Sequence, residues 1–195
     1  MFGRRSFSLV VLFFTAACGP PDRPGATDRV ARSYRTLRQL STAYPWWLDA
    51  QFDPADTVIA SLPIQRIDTT WERASELSWD LLPPAARSDP SMLADSSAVF
   101  EHDGDFNRDG QQDLALVGVY REHTGDLGRF LLVLTAGPGD EWIVVQLEKI
   151  SGSAGFSVLL NQPNEIIWSV CMECDTASRL TWDGAKYVWE GAPAP

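Results

Sequence analysis

The sequence is poor in the residues on which most enzymes and metal clusters depend. It has two histidines and three cysteines in 195 residues. Cys18 stands alone near the start, so Cys171 and Cys174 form a single Cys-Met-Glu-Cys pair. A zinc ribbon needs a second pair and is therefore not supported. General acid–base catalysis at neutral pH usually draws on histidine, and neither His102 nor His123 lies in a recognisable catalytic motif.

Motifs of nucleophilic or phosphate chemistry are also lacking. A hydrolase nucleophile elbow requires glycine two residues to either side of a serine, and neither Ser153 nor Ser157 meets that rule. The chain has no phosphate-binding glycine loop and no His-Glu-x-x-His zinc motif. Acidic residues are plentiful, so a carboxylate pair of the glycosidase kind is not excluded. The sequence as a whole favours a protein that is not an enzyme.

Positive charge is scarce, because 16 lysines and arginines stand against 26 acidic residues and the formal net charge is -10. Such a chain is a poor partner for nucleic acid. Arginines recur at every third position near the N-terminus: Arg29, Arg32, Arg35 and Arg38. They would suit anionic lipid headgroups. The simpler interpretation, which we favour, is that they are solvated or pair with the acidic remainder of the chain.

A long apolar run occurs only at the start of the chain. Arg4 and Arg5 precede an apolar run from Phe7 to Phe14, and small residues lead from there to Cys18. The run is too short to span a bilayer and has the order of an export signal. Residues 1–17 resemble a bacterial lipoprotein signal. The resemblance implies that Cys18 becomes the lipidated first residue of an exported chain, which we expect at the outer membrane, facing the periplasm or the cell surface.

The Cys171 and Cys174 pair follows the strand-like residues Ile166–Val170. A redox-active Cys-x-x-Cys motif normally opens a helix instead. An exported protein lies in a compartment that permits disulfides. We therefore predict a short structural disulfide between Cys171 and Cys174, with two free buried thiols as the alternative.

An acidic stretch near the middle of the chain is the most informative part of the sequence. Its oxygen-bearing residues alternate: Asp105, Asn107, Asp109, Gln111 through its backbone carbonyl, and Asp113. Calcium prefers six to eight oxygen ligands, and alternate residues of a tight loop can direct several of them at one centre. Gly110 stands at the sixth position, where the chain must turn sharply and a positive φ is needed. The stretch therefore predicts a calcium site.

The acidic stretch is not an EF-hand, because Leu116 stands at the twelfth position, where a bidentate glutamate is required. It resembles the calcium loop of FG-GAP and VCBS repeats over about residues 103–120. The resemblance implies calcium ligation by the five residues above, with Phe106 and Leu114 packing in the adjoining strands. The alternative is a polar turn with solvated carboxylates, in which three like charges would repel one another. Such repeats occur in adhesion proteins, sugar-active enzymes and scaffolds, so the resemblance does not define a molecular role.

The chain divides into four parts: the signal at 1–17, a Pro- and Gly-rich tether at 18–27, a helical part at 28–96 and an antiparallel β part at 97–195. The last two parts are expected to form one globular domain, 28–195. Apolar spacing predicts one helix over 28–42 and another over 69–82, the latter with Trp71, Leu77 and Leu81 on one side.

Turn residues separate the strands predicted after residue 97: 98–101, 114–121, 129–136, 142–150, 155–160, 165–171, 178–183 and 186–190. Asp183-Gly184 suits a tight hairpin turn. The fold class predicted is α+β, an antiparallel meander of about seven or eight strands with the N-terminal helices packed on it. A full propeller is excluded by size, because it takes about four to eight four-stranded blades.

The aromatic residues before the β part have two interpretations. Tryptophan rings can stack on sugars, but the four in this part are more often core residues, since each buries a large apolar area: Trp46, Trp47, Trp71 and Trp79.

These observations predict a lipid-anchored cell-envelope protein with a structural calcium loop. It would act as a binding or accessory module for a protein or glycan partner and would contact the membrane through Cys18. The alternative is a calcium-stabilised hydrolase of envelope polysaccharide. A third interpretation is a scaffold for an envelope complex that has no small ligand.

Overall fold

The computed structural model describes residues 45–87, 97–139, 141–172 and 177–190. These ranges do not include the predicted export signal and tether, Cys18, the helix expected over 28–42 or Cys174. Within them, no helix has both the length and the apolar character needed to cross a bilayer.

Antiparallel strands make up most of the described chain. They are β1 (Val58–Ile59), β2 (Leu62–Pro63), β3 (Trp71–Glu76), β4 (Ala98–Val99), β5 (Glu101–Gly104), β6 (Asp113–Glu122), β7 (Leu127–Ala136), β8 (Trp142–Ser151), β9 (Val158–Leu160), β10 (Ile166–Ser169), β11 (Ser178–Trp182) and β12 (Tyr187–Glu190). The helices are single turns: α1 (Trp46–Asp49), α2 (Ile64–Ile67), α3 (Pro84–Arg87) and a 3-10 turn at Trp79–Leu81.

The first large sheet has the order β3-β6-β7-β8. Its central strand β6 has two partners along one edge, because β5 pairs with Asp113–Leu116 and β3 pairs with Gly118–Glu122. Gly118 is required at the point where the partner changes. A Cβ there would lie 2.3 Å from the Phe130 ring and 2.5 Å from the Ser75 carbonyl oxygen. Because Gly118 has no side chain, the Phe130 ring of β7 can pack against the backbone of β6.

The second large sheet has the order β12-β11-β10-β9-β4. The chain passes from this sheet to the first between β4 and β5, at Phe100, whose carbonyl accepts a 3.0 Å hydrogen bond from the Val117 amide. The chain then continues through β5 into the acidic loop. The two sheets therefore meet beside that loop.

The core lies between the two sheets and continues on both outer faces. The central cluster takes residues from both sheets, among them Val117, Val119, Leu131, Leu159, Trp168 and Leu180. Burying such side chains contributes about 25 cal/mol per Å² of apolar surface removed from water. Hence the two sheets stabilise one another directly.

The outer faces are covered by short elements. On the first sheet, β1, β2 and α2 lie over a cluster in which the Trp71 and Tyr120 rings stack at 5.2 Å. On the second, α1 and α3 contribute to a cluster in which Trp46 and Phe156 meet edge to face at 5.0 Å. Trp46, Trp47 and Trp71 are buried, as the core interpretation of these rings predicted, whereas Trp79 is only partly buried against the same cluster as Trp46.

The helix predicted over 69–82 is wrong. The segment forms strand β3 and then the 3-10 turn. A β-bulge between Trp71 and Arg73 shifts the register, so Trp71 and Ala74 pack in the same cluster although they are three positions apart. Same-face residues three apart are the signature of a helix. The helix was predicted from Trp71, Leu77 and Leu81, and the structure separates these three residues. Trp71 and Leu77 lie in different clusters, and Leu81 is 47 % exposed.

The predicted antiparallel β character is confirmed, but the arrangement differs from a single meander covered by helices. The two sheets cover each other, and the described helices are too short to form a layer. Nine strands follow residue 97 in the described chain, since the strand predicted at 98–101 divides into β4 and β5 in different sheets. The structure is thus mostly antiparallel sheet, without a closed barrel in the part described.

Candidate metal site in the loop between β5 and β6

The acidic stretch forms the loop between two antiparallel neighbours. Gly104, the last residue of β5, pairs with Asp113, the first residue of β6, and closes the loop at its base. Phe106 folds back over that base and is 5 % exposed. A Cβ on Gly104 would lie 2.8 Å from the Phe106 ring. A buried aromatic residue therefore anchors an otherwise polar loop to the core.

The turn has the backbone conformation that the sequence predicted. Gly110 has φ +83°, and no atom lies within 4 Å of the position a Cβ would take. Its requirement for glycine is thus one of conformation and not of space. Arg108 also has a positive φ, +62°. An arginine in this region costs about 1–2 kcal/mol, so the loop holds a local strain that sequence analysis did not anticipate.

Carboxylates and one amide fold the loop by accepting hydrogen bonds from its backbone. Asp113 Oδ2 accepts from the amides of Phe106 at 2.9 Å and Asn107 at 3.2 Å. Asp105 Oδ2 accepts from Gly110 at 3.1 Å.

Two further hydrogen bonds within the loop join residues that are two positions apart. Asn107 Oδ1 accepts from the Asp109 amide at 2.9 Å, and Asp109 Oδ1 accepts from the Gln111 amide at 2.8 Å. All five residues of the predicted site therefore take part in one hydrogen-bonded loop, Gln111 through its amide.

Two carboxylate oxygens of the loop stay unpaired. Asp105 Oδ1 and Asp113 Oδ1 are buried and have no hydrogen-bond partner, and Asp113 as a whole is 0 % exposed. A buried carboxylate oxygen without a partner is costly, because it has lost its hydrogen bonds to water and gained none in the fold. These two atoms are the places where a cation would lower the free energy of the fold.

Tyr187 of β12 lies close enough to the loop for the charges of three loop carboxylates to affect its pKa. Burial, followed by the charges of Asp113, Asp109 and Asp105, raises the pKa of the Tyr187 hydroxyl well above its ordinary value. The Tyr187 hydroxyl is itself buried without a hydrogen-bond partner. The negative potential of the loop therefore extends into the second sheet.

The described residues include no group of three or more histidine, cysteine, aspartate and glutamate side chains that could hold a metal ion. Asp105, Asp109 and Asp113 are three acidic side chains of one loop, but in the described structure their carboxylates do not come together as such a group. The predicted ligands also include the Asn107 amide and the Gln111 carbonyl. The acidic side chains are bonded to loop amides as well as carrying unpaired oxygens. The donor set fits calcium, which prefers uncharged and charged oxygen ligands together.

A cavity of about 230 Å³ adjoins the loop. Phe106 and Arg108 of the loop lie on one side of it, and residues of β10, β11 and β12 lie on the other. Arg179 of β11 is buried there and forms ion pairs with Glu165 at 3.3 Å and Glu190 at 3.8 Å. Sequence analysis missed these residues, since nothing in their spacing relates them to the loop.

The other predicted site residues have separate surroundings. Cys171 is buried in the cluster with Trp46. Its predicted disulfide partner Cys174 and the predicted lipidation site Cys18 lie outside the described residues. His102 Nε2 lies 2.9 Å from the Gln162 carbonyl oxygen, and its ring lies 5.4 Å from that of Phe106. His102 therefore joins the loop base to the turn before β10.

No family model, curated protein or solved structure matches this chain.

Proposed function

We propose that the protein is a lipid-anchored domain of a bacterial cell envelope whose β5–β6 loop binds one calcium ion, and that it acts as a binding or accessory module for a protein or a glycan. The main support for the metal assignment comes from the surroundings of the Asp113 side chain. It is fully buried, one of its oxygens is unpaired, and it belongs to a loop with two other carboxylates.

The loop's own residues explain why a cation would be structural. Asp105, Asn107, Asp109 and Asp113 would hold the ion with their side chains and Gln111 with its carbonyl. Calcium would offset the three carboxylates of the loop, against which the loop itself places a single arginine, Arg108. Asp113 begins β6 and Asp105 follows β5, so ligands at both would secure the pairing of these strands. By mass action, free calcium at 100 times the dissociation constant would stabilise the fold by about 2.7 kcal/mol.

The hydrolase alternative gains no specific support. Glycosidases use two carboxyl groups, one of which must serve as an acid. The cavity beside the loop does contain two acids, Glu165 and Glu190, but both are ion-paired with Arg179. This arrangement suits a fixed binding surface better than an acid–base pair.

Thermal unfolding with excess calcium, with excess magnesium and with chelator tests the metal assignment. We expect calcium to raise Tm by about 5–10 °C over the chelated protein, with one calcium per chain by elemental analysis. Magnesium should have a smaller effect, because it demands a more regular octahedral site.

Asp113→Asn should abolish the calcium-dependent shift. Asp183→Asn is the matched control, since Asp183 also accepts two backbone hydrogen bonds in a turn, at 2.8 and 2.9 Å. An equal Tm in calcium and chelator, or loss of the shift in both variants, would overturn the assignment.

The anchor is tested separately by expressing the full chain and its Cys18→Ser variant in a bacterial host with labelled palmitate. We expect label and detergent-phase partitioning in the native chain and neither in the variant. An unlabelled native chain would refute lipidation and leave the calcium assignment standing.

A further inference from the structure

We infer that Tyr187 of β12 belongs to the calcium site, where its hydroxyl accepts a hydrogen bond from a water molecule that completes the coordination of the ion. Calcium would then join the loop of the first sheet to a strand of the second. This inference rests on the proposed function, because it adds a residue to the site of the same ion. Sequence analysis gave Tyr187 no role, since it lies far from the loop along the chain.

Three oxygen atoms of this region are buried without a hydrogen-bond partner: Asp105 Oδ1, Asp113 Oδ1 and the Tyr187 hydroxyl. Asp113 is 0 % exposed and Tyr187 is 6 % exposed. Buried polar atoms without a partner are unfavourable, and one occupant that bonds to all three would relieve them together. Two of the atoms belong to carboxylates and the third to a neutral hydroxyl. A cation that carries water meets both requirements.

The position of Tyr187 in the fold brings it to the loop. It begins β12 and pairs with Trp182 across the turn from β11. Its ring packs in the same central cluster as Phe106, the residue that covers the base of the loop. Burial, followed by the charges of the three loop carboxylates, raises the pKa of its hydroxyl. The hydroxyl is therefore within electrostatic range of the acidic side chains that would hold the ion.

The ligands predicted in the loop leave the coordination of calcium incomplete. Four side chains and one backbone carbonyl supply five oxygens, whereas calcium takes six to eight and accepts water among them. Water on a cation is a good hydrogen-bond donor, and a neutral phenol oxygen can accept. Tyr187 would hold such a water without adding a further negative charge to three carboxylates.

The effect of removing the Tyr187 hydroxyl should therefore depend on calcium. Without the ion, Tyr187→Phe removes an unpaired polar atom from the core, which costs the fold nothing. With the ion, the same substitution removes the acceptor of a hydrogen bond, so it weakens calcium binding. A tyrosine that served packing alone would show no such dependence.

The experiment compares the native chain with Tyr187→Phe by calcium titration calorimetry and by thermal unfolding in calcium and in chelator. We expect the variant to bind calcium about five- to tenfold more weakly. Its Tm in chelator should equal or exceed that of the native chain. Tyr120→Phe is the matched control, because the Tyr120 hydroxyl lies 3.3 Å from Ser151 Oγ within the first sheet. This control should leave calcium affinity unchanged.

Hydrogen exchange measures the link to the second sheet directly. Calcium should slow the exchange of the β12 amides by about threefold or more in the native chain. The same amides should show no calcium dependence in Tyr187→Phe, although that variant still binds the ion at higher concentration.

The outcomes separate this inference from the calcium assignment. Equal calcium affinity in the native chain and Tyr187→Phe would overturn the role of Tyr187 and leave the assignment standing, as would equal losses of affinity in Tyr187→Phe and Tyr120→Phe. A Tm of Tyr187→Phe that falls as far in chelator as in calcium would also overturn it, because the hydroxyl would then have a partner without the ion. A native chain that binds no calcium would refute the assignment and the inference with it.

Discussion

The β5–β6 loop and the turn between β11 and β12 are both held by an aspartate, but the two aspartates have different surroundings. Both connect antiparallel neighbours, and in both an aspartate accepts two backbone hydrogen bonds, Asp113 in the loop and Asp183 in the turn. Asp183 is solvated, and hydrogen bonds from Lys186 and Ala185 lower its pKa. Asp113 is buried with one oxygen unpaired. The exposed carboxylate of the turn is accessible to water, whereas the buried carboxylate of the loop keeps one oxygen without a partner.

Replacing each aspartate by alanine gives the largest expected difference between the two connections. In calcium, Asp113→Ala should lower the free energy of unfolding by about 2–4 kcal/mol, because two buried amides lose their acceptor and the ion loses a ligand. Asp183→Ala should have a much smaller effect, since water replaces the exposed carboxylate. Urea denaturation of both variants measures the difference. Equal losses would mean that burial does not distinguish the two aspartates.

Gly110→Ala and Gly184→Ala compare the two connections at the backbone. Both glycines have positive φ, +83° and +104°, with no atom within 4 Å of an added Cβ. Each substitution should therefore cost about 1–2 kcal/mol from backbone strain alone. Calcium titration should separate them: only Gly110→Ala should weaken calcium binding, by up to about tenfold, because a free loop can relax and a metal-bound loop cannot. Unchanged calcium affinity in Gly110→Ala would show that the turn is not part of the site.

The smallest expected effect concerns carboxylates that already have a cation. Lys149 Nζ lies 2.7 Å from Asp68 and 3.1 Å from Glu122. Partial burial acts to raise the pKa of Asp68, but hydrogen bonds from Lys149 and Thr70 outweigh it and the pKa is lowered. Partial burial likewise acts to lower the pKa of Lys149, but the bonds to Asp68 and Glu122 outweigh it and the pKa is raised.

The pH dependence follows from these directions. A lowered carboxylate pKa stabilises the fold above its ordinary value of 3.8, and this contribution is lost as pH falls below that value. A raised lysine pKa stabilises below 10.5, and this contribution is lost above it. Asp68→Asn should therefore cost about 0.5 kcal/mol or less at neutral pH, because the pair is partly solvated. Near pH 2, native and variant chains should have the same Tm. A difference that persists there would contradict the ion-pair explanation.

The local chemistry of the chain could be predicted from its sequence. Strands such as β6, β7 and β8 lie close to their predicted positions, because alternating apolar residues and turn residues act over a few neighbours. The positive φ at Gly110 was anticipated from its position in the loop, and the packing of Phe106 from the resemblance of the loop to calcium-binding repeats. The calcium, lipid-anchor and disulfide assignments stay predictions.

Other features of the fold depend on contacts between residues that are far apart in the sequence. Whether residues 71–76 formed a helix or a strand depended on their pairing with β6. The division of 98–101 between two sheets also depended on partners far along the chain. The cavity brings Arg108 beside Arg179 and Trp182, residues more than 70 positions away. Sequence patterns indicate the conformation that a few neighbouring residues prefer. Residues far apart in the sequence come together only when the two sheets pack and bury each other's apolar faces.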